Sequence, residues 1–177
     1  MALLHTPAAE KNFTAPDFSL MGTDGNTYSL ADIRTDKGFV VGFICNHCPY
    51  VQAIVKRMAH DFRNMQNQGI GIVAIMSNDT ESYPEDSFVN MKEFADKYKF
   101  SFPYVIDETQ EIAKAYGAVC TPDFFGFNGE GQLQYRGRLD SAANQERDEN
   151  TKKELLEAMM RIVDIGAGPH EQVPSMG

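Results

Sequence analysis

The sequence predicts an α/β fold, a central mixed sheet flanked by helices with an added N-terminal β-hairpin, and three observations carry that expectation. Two apolar runs of strand length, Phe39-Val40-Val41-Gly42-Phe43-Ile44 and Ile70-Gly71-Ile72-Val73-Ala74-Ile75-Met76, are joined by a helical pattern over about 48–68. This is a βαβ unit, so its strands are expected to run parallel with a right-handed crossover. Two turn signals, Thr23-Asp24-Gly25 and Asn128-Gly129-Glu130-Gly131, each separate a pair of short strand-like segments.

In chain order, Ala15-Pro16-Asp17-Phe18-Ser19-Leu20 and Asn26-Thr27-Tyr28-Ser29-Leu30 form the opening hairpin around the first turn. The buried strand Gly38 to Ile44 feeds the helix of 48–68, which stops at Gly69, and the second buried strand follows. A polar loop, Ser77 to Ser87, leads to a helix over 88–99, whose apolar Phe88, Met91, Phe94, Ala95 and Tyr98 recur at helical spacing. Phe102 to Asp107 reads as a short strand before a helix from Gln110 to Tyr116. Asp123 to Phe127 and Gln132 to Arg136 flank the Asn-Gly turn as a second hairpin, and a last helix covers about 150–165. Residues 166–177, with two prolines and three glycines, are expected to be an irregular, unpacked tail, which leaves 14–165 as one domain.

With 177 residues the chain is long enough to bury a substantial single core. Its formal charge of -9 is spread without a Lys/Arg-rich run, which argues against nucleic acid as a partner. The longest apolar stretch, around Phe39 to Cys45, is far short of the roughly 18 residues that read as a membrane span. Met1 to Lys11 lacks a basic segment followed by a sustained apolar one. No membrane association and a cytoplasmic location are therefore expected.

Three cysteines are too few for a secreted disulfide framework, and a close pair plus a distant third suits reversible redox chemistry. The pair, Cys45-Asn46-His47-Cys48, sits where the first buried strand meets the following helix. A helix leaves its first N–H groups without intrahelical partners and carries partial positive charge there, so a sulfur beside them is stabilised as thiolate. Only the thiolate attacks disulfides or peroxides, and such surroundings lower a cysteine pKa from about 8.5 into a range of roughly 3.5 to 7.5. An imidazolium at His47 pushes the same way. Pro49 fits the first turn, since the N–H it lacks would have had no partner there.

This order of elements, with a dithiol at the start of the first long helix, resembles the thioredoxin superfamily and implies a thioredoxin-like fold. Ala15-Pro16-Asp17-Phe18 with Asp24-Gly25 and Leu30 resembles the opening of its alkyl hydroperoxide reductase/thiol-specific antioxidant branch. Asn46-His47-Cys48-Pro49-Tyr50, with Ser77-Asn78-Asp79 downstream, is similar to the peroxiredoxin-like group within that branch. The resemblance covers about 14–165 and implies a thiol-disulfide oxidoreductase with an antioxidant role and no cofactor. Its substrate would be a disulfide-bearing protein or a small thiol or peroxide, its reductant a thioredoxin or a small thiol.

The resemblance also distributes roles. Cys45 is expected to be the exposed attacking thiol and Cys48, deeper in the first turn, the resolving one, with His47 tuning both. Thr121-Pro122 falls where the superfamily places a cis-proline facing the dithiol, and Thr121 would offer its backbone to an extended substrate. Asn78 and Tyr83, on the loop at the carboxyl end of the second buried strand, are expected to line the approach to Cys45. Cys120 is a possible third redox thiol, although a buried free cysteine is usually inert.

Two alternatives remain open at this point. A thiol peroxidase would need a Pro-x-x-x-Thr-x-x-Cys site. Counting back from Cys48 finds Cys45 and Val41 at those places, and from Cys45 finds Gly42 and Gly38. Arg136 or Arg138 would have to supply the arginine that organises peroxide. A thiolate metal carrier lacks a second CxxC, and His5, His60 and His170 are scattered, so no metal site is expected. The strand Phe39 to Ile44 carries no acid, which leaves His47, Asp123 or water to take the resolving thiol's proton.

Overall fold

A computed structural model describes residues 3–177. The opening hairpin forms from β1 (Ser19–Gly22) and β2 (Thr27–Ser29), with Gly25 at φ +85° making the turn. Asp24 braces it by accepting hydrogen bonds from the Asn26 N–H and the Tyr28 hydroxyl. A four-residue helix that periodicity did not foresee, α1 (Leu30–Ile33), follows. A reciprocal capping box between Ser29 and Asp32 holds it.

The centre of the sheet is β3 (Phe39–Phe43), which pairs parallel with β4 (Gly71–Met76) and antiparallel with β6 (Asp123–Phe127). Helices cover both faces, so this strand is apolar throughout. Val40 and Ile44 point into one core layer, with Phe62, Met91 and Leu155. Phe39, Val41 and Phe43 point into the other, with Phe18, Tyr116 and Phe125. Beyond β4 lies β5 (Tyr104–Ile106), parallel to it, and β7 (Leu133–Gly137) lies beyond β6. The full order is β2-β1-β5-β4-β3-β6-β7, a seven-stranded mixed sheet with the opening hairpin added at one edge.

The helix expected over 48–68 is two helices, α2 (Pro49–Gln52) and α3 (Val55–Asn67). At the junction the Ile54 N–H bonds back only three residues, to Val51 O, which tightens the turn and leaves Val51, Ile54 and Val55 all buried. The remaining helices are α4 (Phe88–Lys97), α5 (Glu111–Tyr116) and α6 (Glu154–Ile165). The last begins later than the expected start near 150. Residues before it pair with the loop instead, Lys152 O accepting from Ser141 N–H and Ser141 Oγ from Lys152 N–H. Buried Asp61 and Asp140 hold that loop through Arg57 and Arg147.

The tail is irregular but packed, contrary to expectation. Leu4 and Gly177 exchange backbone hydrogen bonds, Thr6 N–H donates to Ser175 O, and Arg138 N–H donates to Val173 O. Ser175 is buried and its hydroxyl donates to the Pro122 carbonyl at 2.6 Å. The terminal segment therefore braces the back of the 121–122 turn. Ser175→Ala, which removes that bond, is expected to cost about 1 kcal/mol, read as a shift in the denaturant midpoint.

Candidate active site

The dithiol lies at the carboxyl end of β3, where Cys45 lies just past the strand and Cys48 is the N-cap of α2 with Pro49 at the first helical position. The Thr121-Pro122 peptide bond is cis. It places Thr121 against both sulfurs, its hydroxyl 3.4 Å from Cys45 Sγ and its carbonyl accepting from Cys48 Sγ at 3.3 Å. Cys45, Cys48, Thr121 and Pro122 thus come together.

The exposure of the pair is the reverse of what the resemblance implied. Cys45 is 1 % exposed and belongs to the same core layer as Ile44 and Tyr104, while Cys48 is half-buried at the edge of that layer. The physical reason lies in where the helix starts. Because α2 begins only at Pro49, the first cysteine lies two residues past the end of β3, still within the core, and the second takes the helix terminus.

Ionisation follows position. The Cys48 thiol is drawn down to about 5, first because Cys45 donates a hydrogen bond toward it. Thr121 and the N–H groups of Val51 and Tyr50 at the start of α2 add to this, against the opposing effect of burial. Cys45 is pushed up, first by its hydrogen bond to Cys48 and then by burial, against the opposing hydrogen bond of Thr121, with a smaller push from the charge of Asp86. Cys48 is thus the readier of the two to ionise, and on doing so it gives up the hydrogen bond it donates to the Thr121 carbonyl. Since Cys48 ionises at lower pH folded than unfolded, its stabilising contribution is fully present above about pH 8.5. That contribution is lost as pH falls through about 5. Alkylation of Cys48 by iodoacetamide is expected to follow a single ionisation with its midpoint near pH 5; a midpoint above 8 would contradict this arrangement.

Asp86, which sequence reasoning missed, organises the rest. It lies in a 3-10 turn, Pro84–Asp86, inside the polar loop after β4, and is fully buried. Its Oδ1 accepts from the Asn46 N–H at 2.7 Å and the His47 N–H at 3.3 Å. Its Oδ2 meets His47 Nδ1 at 2.6 Å and the Asn78 amide at 2.9 Å. Only the loop's position at the carboxyl end of a parallel strand hinted at it, and that hint does not separate Asp86 from Asp79 or Glu85.

Asn78 therefore holds Asp86 rather than lining an approach to Cys45. Tyr83 stacks its ring on His47, centroids 5.0 Å apart, and stays 40 % exposed at the rim. Asn46 is held by Tyr104, whose buried hydroxyl donates to Asn46 Oδ1 at 2.8 Å. Cys120 is half-buried with its Sγ 3.7 Å from the Pro122 carbonyl, and burial pushes its thiol up to about 12.

The arginines and Asp123 are otherwise engaged. Arg136 is buried, its guanidinium donating to both Asp123 oxygens and to Gly117 O, and it lies over the Phe125 ring. Arg138 pairs with Glu154. Each arginine is thus committed to a carboxylate. Asp123, paired with Arg136, is not free to take a proton from Cys45. Donor atoms of Cys45, His47 and Asp86 do lie within 4.8 Å of one another, a spacing a metal ion could span. Both Asp86 oxygens already accept two hydrogen bonds each, so the cluster is a closed polar network.

Comparison with known proteins fits this geometry. The sequence profile of the AhpC/TSA family matches residues 12–136. A thiol-disulfide oxidoreductase, ResA, of Geobacillus thermodenitrificans is 28% identical over 121 residues, a match covering 68% of this chain and 65% of the relative. The chain thus spans a little under two thirds of that relative's length. An uncharacterized conserved protein from Geobacillus kaustophilus, solved by crystallography, superposes with a TM-score of 0.93 at 38% identity, over 100% of this chain and 94% of the other. The thioredoxin domain of a thiol-disulfide oxidoreductase from Bacteroides vulgatus shares the fold, with a TM-score of 0.65 at 16% identity over 87% and 98% of the two chains. The fold is thioredoxin-like.

Proposed function

From the premise that this chain belongs to the AhpC/TSA family of the thioredoxin superfamily, we propose that it is a thiol-disulfide oxidoreductase in which Cys48 attacks and Cys45 resolves. One observation carries this reading: of two adjacent thiols, Cys45 lies in the core while Cys48, half-buried, stands at the start of a helix. The Cys48 thiolate attacks a sulfur of a substrate disulfide, forming a mixed disulfide as the second substrate sulfur leaves with the bonding electron pair. Cys45 then loses its proton and attacks the Cys48 sulfur. The Cys45–Cys48 disulfide forms, the remaining substrate thiolate departs, and the proton ends on a leaving thiolate. Two electrons pass from the dithiol to the substrate, so a small thiol or a thioredoxin must return them.

A thiolate stabilised near pH 5 favours the reduced form and so makes the disulfide oxidising. Thr121, its backbone beside Cys48, is suited to hold an extended disulfide-bearing segment, with Tyr83 and His47 at the rim. A peroxidase activity is the weaker reading, because Arg136 and Arg138 are both committed to carboxylates. Three cysteines, too few for a secreted disulfide framework, suit a reducing, cytoplasmic compartment, which thiol trapping in fractionated cells checks. A redox titration in glutathione buffers with peptide mapping tests the main reading. The expected product is a Cys45–Cys48 disulfide formed in one two-electron step. A dithiol that stays reduced throughout, or oxidation confined to Cys120, would sink it.

A further inference from the structure

We propose that residues 174–177 form a strap over the Thr121 edge, so that the closed chain acts on small disulfides and an extended polypeptide disulfide enters only when the strap lifts. This rests on the proposed function, with Thr121 as the residue an extended substrate meets, and names the substrate class that the closed form admits. In the folded chain the edge is already taken. Gly177 lies so close to the Thr121 backbone that a Cβ there would overlap the Thr121 carbonyl oxygen. That oxygen is the one that accepts from Cys48 Sγ. Two residues earlier, the Ser175 hydroxyl donates to the Pro122 carbonyl. Pro174 and Met176 line a pocket with Pro122 and Tyr50, close in the chain to Cys48. The segment thus lies along Thr121-Pro122, where a substrate strand would have to lie.

The attachments of this segment divide at Pro174. Upstream, the chain is fixed to β7 at the edge of the sheet: the Gln172 amide accepts from the Arg136 N–H and donates to Gln134 O, and Val173 O accepts from the Arg138 N–H. Beyond Pro174, the Ser175 hydroxyl is the hydrogen bond to Pro122, and the others among the described residues run to the segment 4–6. Thr6 N–H donates to Ser175 O, Thr6 Oγ1 accepts from Ser175 N–H, and Leu4 and Gly177 exchange a pair. A two-stranded ribbon this short is marginal in water, so it opens at little cost to the core. Closed, a segment tethered at Val173 competes for the edge at an effective concentration on the order of millimolar, against which a free peptide must bind. A small disulfide needs only the Cys48 sulfur and does not enter that competition.

The test compares the native chain with the double variant Thr6→Pro/Ser175→Ala, which removes three of the strap's hydrogen bonds and places nothing new against Thr121. The two substrates are a symmetrical aromatic disulfide and an extended peptide whose one cysteine carries the same aromatic thiol. With either, attack by Cys48 forms a mixed disulfide and expels the aromatic thiolate, which is read by absorbance. The peptide is expected to react at least about tenfold faster with the double variant, the factor that a strap closed roughly nine-tenths of the time imposes. The rate with the aromatic disulfide is expected to stay the same. An equal change for both substrates, or none for the peptide, would overturn the inference and leave the proposed function standing. Thiolate released from neither substrate by the native chain would overturn that function instead. A second measurement leaves the strap unaltered and decides the matter if the double variant does not fold. The Cys45→Ser chain carries either the peptide or a small thiol on Cys48 as a mixed disulfide, and amide hydrogen exchange is read at Leu4, Thr6 and Gly177. The peptide is expected to expose these amides and the small thiol to leave them protected; protection that persists under the peptide overturns the inference.

Discussion

Cys48→Ser is expected to lower the rate of disulfide reduction by at least about a thousandfold, toward uncatalysed exchange, because it removes the thiolate that attacks. Cys45→Ser is expected to leave that attack intact and to stop the cycle one step later, with the substrate held on Cys48 as a mixed disulfide. The two variants are expected to separate cleanly because the two sulfurs differ in burial and in their contacts. Cys48 is half-buried beside the Thr121 carbonyl, and Cys45 is buried in the core. The measurement is reduction of an aromatic disulfide followed by absorbance, with intact mass of the trapped species. Trapping on Cys45 in the Cys48→Ser variant would reverse the assignment. It would also contradict the burial of Cys45, since a sulfur 1 % exposed meets a bulky disulfide only after the strand end opens.

The largest expected effect on stability comes from Arg136→Met. Arg136 and Asp123 face each other across β6 and β7 with almost no exposure, and together they anchor the chain that delivers Cys120 to Pro122. Arg136 donates to Gly117 O, and Asp123 accepts from the Val119 N–H. Removing the guanidinium leaves a carboxylate buried without its counter-ion, a change that costs about 3–5 kcal/mol in comparable cases. Burial already pushes the Asp123 carboxyl up, with Arg136 holding it down. In the variant it rises further, so the carboxyl folds in its neutral form at low pH. A group whose folded pKa is raised imposes its cost as pH climbs from the unfolded value through the folded one. The loss is therefore expected to be smallest near pH 4 and to grow toward neutrality, by denaturant unfolding at several pH values. Adding Asp123→Leu to Arg136→Met is expected to recover much of it, because an apolar pair leaves no charge buried.

Much of the fold was legible in the chain. The apolar runs that became β3 and β4 admit few readings, since a strand covered on both faces has no polar positions to confuse the pattern. The Asn-Gly hairpin was similarly plain, and its two strands fall at 123–127 and 133–137. Less legible were the short elements. The capping box that makes α1 spans four residues, and the break at Ile54 lies inside a pattern whose apolar spacing continues through it. The packed tail was hidden because its partners, Leu4, Thr6, Pro122 and Val173 with Arg138, lie far apart in sequence.

The site divides the same way. Spacing alone determined that Cys45 and Cys48 share a strand-to-helix junction, and the resemblance to the thioredoxin superfamily was enough to expect Thr121-Pro122 beside them. Which thiol is buried, and which polar groups hold the loop between the two, was decided by the tertiary structure. Those properties depend on the residue at which the helix begins and on a carboxylate, Asp86, brought in from a loop some forty residues downstream. Burial and charge act through space over a few ångströms, and a one-dimensional pattern records neither until the chain has folded those groups together.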